Sequence, residues 1–164
     1  MSFPADIKGC MKDCILSLFW PRKDIVGFFE KHGCTKAEIA SLQIEGENAL
    51  KRHEVVDALF KAFAARPDNG LGPFRAMLQS LLTWSHFDPY YFDKLGKLDR
   101  AAANKSLEHL RQLQEIRDAK IKADRERRAA QESVRQQPTA SLEQLRGEYL
   151  DLLANKTSRQ QRGY

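Results

Sequence analysis

Apolar side chains recur along the first hundred residues at steps of three and four, the spacing of one face of an α-helix. Ile7, Cys10, Cys14 and Leu18 make the first such stripe. Pro4 stands at a first-turn position, and Asp6 faces the positive end of the helix dipole. Pro21 breaks this helix just after Phe19. Asp24 opens a second helix, with Ile25, Phe28 and Phe29 on one face and Gly33 as its C-terminal glycine. Thr35-Lys36-Ala37-Glu38 is a capping box, in which hydroxyl and carboxylate each satisfy a free amide. It starts a third helix, carrying Ile39 and Leu42 and expected to end near Gly46. Val55, Val56, Leu59, Phe60 and Phe63 mark a fourth, from about Lys51 to Ala65. After the turn Arg66-Pro67-Asp68-Asn69-Gly70, a fifth carries Leu71, Phe74, Leu78, Leu81 and Leu82. Asp88-Pro89 reads as the start of a short sixth segment that Gly96 closes. No sustained apolar–polar alternation occurs, so no sheet is expected.

The pattern changes at Asp99. Neither Gly nor Pro appears again before Pro138, and a helix of about 37 residues would be roughly 55 Å long. Leu107, Leu110, Leu113 and Ile116 form its stripe, which fades beyond Ile121 into residues that are polar all round. The stretch Gln136-Gln137-Pro138 reads as a break. Ser141-Leu142-Glu143-Gln144 reads as a second capping box, leading a last stripe of Leu142, Leu145, Tyr149 and Leu152. The expected fold is therefore all-α. Residues 1–97 form a compact bundle of about six short helices, and 98–136 form a long charged helical arm. A final helix over 139–155 packs back on it as a helical hairpin. Residues 156–164 are expected to be a flexible tail leading to a C-terminal domain outside this chain.

Composition narrows the class. Of the 164 residues 42% are hydrophobic, enough for a core, and 30% are charged. No apolar run approaches the roughly 20 residues that span a bilayer, and the N-terminus lacks the plan of a secretory signal. Three cysteines, an odd number, argue against a disulfide framework. The expectation is a cytoplasmic protein without a membrane partner. Residues 1–98 carry 13 basic and 12 acidic side chains, and residues 99–164 carry 14 and 10, so most of the +5 charge lies in the second part. That excess points to an acidic partner only weakly.

Several constellations invite chemistry. Cys10, Cys14, His32 and Cys34 are zinc-ligand types, but their spacing matches no common zinc motif, and Cys10 and Cys14 lie on an apolar stripe. Ser85, His86 and Asp88 are too close in sequence to form a relayed triad. The aromatic group around His86 (Trp84, Phe87, Tyr90, Tyr91 and Phe92) reads as the end of a core. Gly70-Leu71-Gly72-Pro73 lacks the lysine and the amide of a phosphate loop. The arm's Arg117, Lys120, Lys122, Arg125, Arg127 and Arg128 alternate with Asp118, Asp124 and Glu126, as on a solvated helix laced with ion pairs. They are nonetheless the candidate nucleic-acid-binding residues. Neither a catalytic site, a metal, a cofactor nor a small-molecule substrate is expected.

Four stretches carry a family likeness. They are Leu18-Phe19-Trp20-Pro21-Arg22-Lys23-Asp24-Ile25 with Phe28-Phe29, Phe74-Arg75-Ala76-Met77-Leu78-Gln79-Ser80-Leu81, Trp84-Ser85-His86-Phe87-Asp88-Pro89-Tyr90-Tyr91-Phe92, and Arg159-Gln160-Gln161-Arg162-Gly163-Tyr164. Together they resemble the N-terminal helical region that precedes the catalytic domain of bacterial restriction-endonuclease-like defence proteins. The likeness covers nearly the whole chain. It implies a fragment or a stand-alone relative of such a front half, with the nuclease residues lying beyond Tyr164. Asp118-Ala119-Lys120 fits an acid–x–lysine pattern, but it falls mid-helix where that nuclease fold uses a strand. The expected function is a non-catalytic interaction, recruitment or dimerisation module that binds a protein partner or itself. The alternative is a nucleic-acid-binding protein that uses the basic face of the arm.

Overall fold

A computed structural model describes the backbone of residues 2–162, and the side chains of that range except 135–145, 148, 151–152 and 154–162. The chain divides into two units, Met1–Ile116 and Arg117–Tyr164. Among the described residues there are helices and no strand, as the apolar spacing requires.

In the first unit, α1 spans Ala5–Leu18, α2 Arg22–Lys31, α3 Lys36–Ala40, α4 Arg52–Ala64 and α5 Leu71–Leu82. A π-helical turn covers Tyr90–Lys94, and α6 starts at Arg100. The first stripe is buried as expected and is widened by Met11 and Ile15, so α1 hides a broad apolar face. Helix α4 is the hub. It packs on α1, α2, α3 and α5, and Val55, Val56, Leu59, Phe60 and Phe63 are all buried. Phe29, Phe60, Phe63 and Phe74 meet there with ring centroids 5.4–5.7 Å apart. Ala103, Leu107 and Leu110 of α6 complete the core, so this unit reaches Ile116 rather than ending near residue 97. Leu113 packs on the core only in part and Ile116 is 65% exposed, which ends the stripe one step earlier than its spacing suggests.

Polar groups fasten the helix ends. Thr35 and Glu38 form the anticipated capping box: the Glu38 amide donates to Thr35 Oγ1 and the Thr35 amide to Glu38 Oε1. The helix it starts stops at Ala40, short of Gly46. There Ser41 Oγ donates to the Glu38 carbonyl, a local bond that competes with helix propagation. Arg66 grips Glu38 with two nitrogens, at 2.5 and 3.2 Å, and also donates to the Gly33 carbonyl at 2.7 Å. It thereby joins the end of α4 to the start of α3.

The Arg66 guanidinium, aided by the Thr35 bonds, outweighs burial and holds the Glu38 carboxyl at about 2, against an ordinary value of 4.5. The folded state thus favours the carboxylate. Its stabilisation is complete above about pH 4.5 and drains away as pH falls towards 2. Glu38→Gln is expected to cost about 1–3 kcal/mol at pH 7 and much less at pH 3. Urea midpoints at the two pH values measure this, and an equal loss at both would sink the ion-pair account.

The second unit corrects two expectations. Helix α6 runs unbroken from Arg100 to Arg162, so the break at Gln136–Pro138 and the return helix of the hairpin are not formed, and residues 156–162 are helical rather than a loose tail. A proline inside a helix removes one amide and crowds the carbonyl four residues back, at about 3 kcal/mol. That carbonyl belongs to Val134, which is 61% exposed, so water can serve it. The sequence from Gln136 to Ser141 also has no glycine with which to reverse the chain. Tyr149, expected to pack in the hairpin, is 63% exposed. Gly163 and Tyr164, and the side chains of Ser141, Leu142, Gln144, Leu145 and Leu152, lie outside the described residues.

Candidate binding cleft

Two segments far apart in sequence face each other in the first unit. The end of α1 and one face of α2 supply Leu18, Phe19, Lys23, Asp24, Gly27, Phe28 and Lys31. The connection after α5 supplies Trp84, His86, Asp88 and Tyr91. Between them lies a cleft of about 310 Å³, near the lower end of the range for small-ligand sites.

Its base is aromatic. Phe19 and Phe28 lie 5.1 Å apart between centroids, and both meet Trp84 edge-on at 5.4 and 5.8 Å, the arrangement that aromatic quadrupoles favour. The walls are tied from behind. Trp84 Nε1 donates to the His86 carbonyl at 2.5 Å, and Arg111 of α6 donates to the carbonyls of Leu82 and Trp84. His32 bonds the Phe28 carbonyl at 2.7 Å and Ser80 Oγ at 2.6 Å, tethering α2 to α5. That Ser–His contact does not line the cleft.

The rim is charged on both sides. Lys23, Gly27 and Lys31 are spaced by four and share a face of α2. Asp24 and Asp88 flank Tyr91, and burial together with these carboxylates pushes its hydroxyl up. Asp88 Oδ1 accepts the Tyr90 amide at 3.0 Å, and the wider π-helical turn, closed by Leu95 N to the Tyr90 carbonyl, carries Tyr91 to the rim. Such turns are frequent at functional sites.

Gly27 opens the space. It is exposed within α2, and a Cβ built on it meets nothing within 4 Å. Neither backbone strain nor crowding calls for glycine there.

Of the residues singled out from the sequence, Trp84, His86, Asp88 and Tyr91 reach the cleft and the others fall elsewhere. Cys10 faces the Ser106 carbonyl at 3.7 Å and His109 Nδ1 at 3.6 Å, whereas His32 bonds Ser80, so the structure does not assemble the zinc set. No group of three metal-ligating side chains occurs among the described residues. Burial pushes all three thiols up, Cys34 to about 11, so they are protonated at neutral pH. Of the aromatic group, Phe92 is buried and Phe87 packs beside it at 5.3 Å. Trp84, His86 and Tyr91 line the cleft, and Tyr90 is 48% exposed. Reading the whole group as the end of a core missed this division, whose only sequence signal is a mid-helix glycine beside apolar residues.

Arg117, Lys120, Lys122, Arg125, Arg127 and Arg128 are all exposed on α6 in the second unit. At 100° per residue, all but Lys122 fall within an arc of about 160°. Asp124 sits inside that arc and pairs with Arg127 at 2.6 Å. No helix among the described residues is long and apolar enough to cross a membrane.

No protein-family model matches the chain, and neither any characterised protein nor any solved structure shows significant similarity to it.

Proposed function

We propose that the chain is a non-catalytic docking module whose first unit captures a protein partner in the Phe19–Phe28–Trp84 cleft. The observation that carries this reading is Gly27. Glycine inside a helix costs about 1 kcal/mol relative to alanine, and nothing around Gly27 requires it. The missing side chain leaves room for one that comes from outside. The rim indicates its company. An apolar or aromatic anchor would enter the floor, with an acidic neighbour facing Lys23 and Lys31 and a basic neighbour facing Asp24 and Asp88. The stretches that resemble the front region of restriction-endonuclease-like defence proteins include both walls of this cleft. A recruitment role for a nuclease belongs to the same proposal.

The test uses the full chain as bait for a random peptide display library. Enriched peptides are expected to carry an aromatic or bulky aliphatic anchor with opposite charges on its two sides. Gly27→Leu fills the cleft and is expected to abolish the enrichment. Gly27→Ala and Gly9→Ala should each raise stability by about 0.5–1 kcal/mol, because both positions are mid-helix with open space around them. Gly9→Ala is also expected to leave peptide binding unchanged. Equal enrichment on the Gly27→Leu variant, or none on the wild type, would refute the proposal.

The second reading is contact between the arm's basic residues and nucleic-acid phosphates, favoured by the exposure of all six side chains. It requires binding that weakens steeply with salt, and reversing Arg125, Arg127 and Arg128 should weaken it for every sequence alike.

A further inference from the structure

Of the eight large apolar side chains exposed among the described residues, five lie in the second unit, whose described residues form a single helix. Long helices owe most of their stability to packing of an apolar face, and the return helix expected to cover this one is not formed. The face is well defined. At 100° per residue, Ala123, Arg127, Ala130, Gln131, Val134 and Tyr149 fall within an arc of about 100°. All six are exposed.

Arg127, Ala130, Gln131 and Val134 surround a depression on this face. They stand at i, i+3, i+4 and i+7, the four-residue hole that accepts one side chain of a facing helix in a coiled coil. The small Ala130 leaves the hole open. Arg127 is paired with Asp124 at 2.6 Å, so its stem can line the hole while its charge stays in water.

Charge selects the occupant. Residues 117–128 carry six basic and three acidic side chains, and residues 143–151 carry one and three. A parallel second copy would set each segment against its own like charge, with Arg127 beside Arg127. An antiparallel copy sets the basic segment against the acidic one, twice by symmetry. One register places Ala123 opposite Tyr149 of the second copy, small against large, as interdigitating layers require. The two-fold axis then passes near Gln136, and residues 117–155 of both copies overlap. That is about five heptads, above the three or four that mark a coiled coil. We propose that α6 joins two copies of this chain as an antiparallel coiled coil, with Ala123 of each facing Tyr149 of the other and the hole at Ala130 filled by the second copy. The inference does not depend on the docking cleft.

Sedimentation equilibrium of the full chain over a concentration series tests it. The expected result is a reversible dimer, weakened by added salt because exposed opposite charges hold the register. Val134→Asp puts a carboxylate at the hole of each copy and should weaken the dimer at least about tenfold. Residue 134 is exposed in the single chain, so circular dichroism should show the fold unchanged. A short bismaleimide reads the orientation, and the native Cys10, Cys14 and Cys34 are buried and do not compete. Ala123→Cys and Tyr149→Cys should cross-link poorly when alone and efficiently when combined in one chain. A monomer at every concentration, or a dimer indifferent to Val134→Asp, would overturn the interface. Efficient cross-linking of either single variant, none in the combined one, or a dimer that salt strengthens would overturn the antiparallel register.

Discussion

Replacing Phe74 with alanine is expected to remove about 3–5 kcal/mol of stability, a large part of the 5–15 kcal/mol typical of a whole domain. The ring has no exposed surface. It lies 5.2 Å from Phe3, 5.4 Å from Phe60 and 5.7 Å from Phe63, and the Lys8 ammonium sits 5.1 Å from its centroid. One side chain of α5 therefore joins the N-terminal segment, α1 and the hub helix α4. The neighbouring rings are held by their own helices and cannot close the space left behind, so the lost burial and the residual cavity both count. Urea unfolding should show a lower midpoint at unchanged slope. A loss under about 1 kcal/mol would mean that the aromatic cluster is not the centre of the core.

Gly70→Ala should cost about 2–4 kcal/mol, although it adds only one carbon. Gly70 has φ +75°, which a side chain disfavours, and an added Cβ would lie 2.8 Å from both the Phe63 carbonyl oxygen and Phe74 Cε2. The ring could retreat, but the carbonyl belongs to α4 and could not. The turn has little slack. Asp68 accepts the amides of Gly70 and Gly72 at 2.9 and 3.1 Å, and Asn69 is already left-handed at φ +58°. Because the two substitutions share a contact, they should not add. Removing the Phe74 ring relieves one clash and leaves the other, so the double variant should lose less than the sum, by about 0.5–3 kcal/mol. Strict additivity in a double-mutant cycle would show that the clash is not with Phe74. Gly27→Ala is the instructive contrast: the same change, with no clash and no unusual φ, is expected to stabilise.

Much of the fold was legible because its signals are local. Pro4, Asp6, the Thr35–Glu38 box and Gly33, which has φ +97°, lie at helix ends where their chemistry places them. All five apolar residues of the α4 stripe are buried. The errors came where a local signal competed with something distant or with solvent. Ser41 closed α3 early through its own side chain. Pro138 has the composition of a break, but the helix passes through it.

The candidate site was less legible. His86 and its aromatic neighbours were visible as a group, but their division between core and cleft was not. Phe87 and Phe92 pack on each other, while Trp84 turns to meet Phe19 and Phe28 across the molecule. Nothing in the spacing of residues 84–92 distinguishes these outcomes. The cations at Trp20 were hidden for the same reason, since Arg52 and Lys97 belong to stretches of the chain far from it and from each other.

By itself, the order of amino acids determined that the chain is helical, where most short helices begin and end, and which face of each turns inward. Those properties depend on residues three and four apart, and their physics is complete within one or two helical turns. Only the tertiary structure decided that Gly27 opens onto Trp84 and that Arg52 and Lys97 meet at the Trp20 indole. Each of these depends on contacts between distant segments, whose positions are set by how the helices pack around α4. No local pattern carries that information, because the packing energy that selects it is a property of the assembled core.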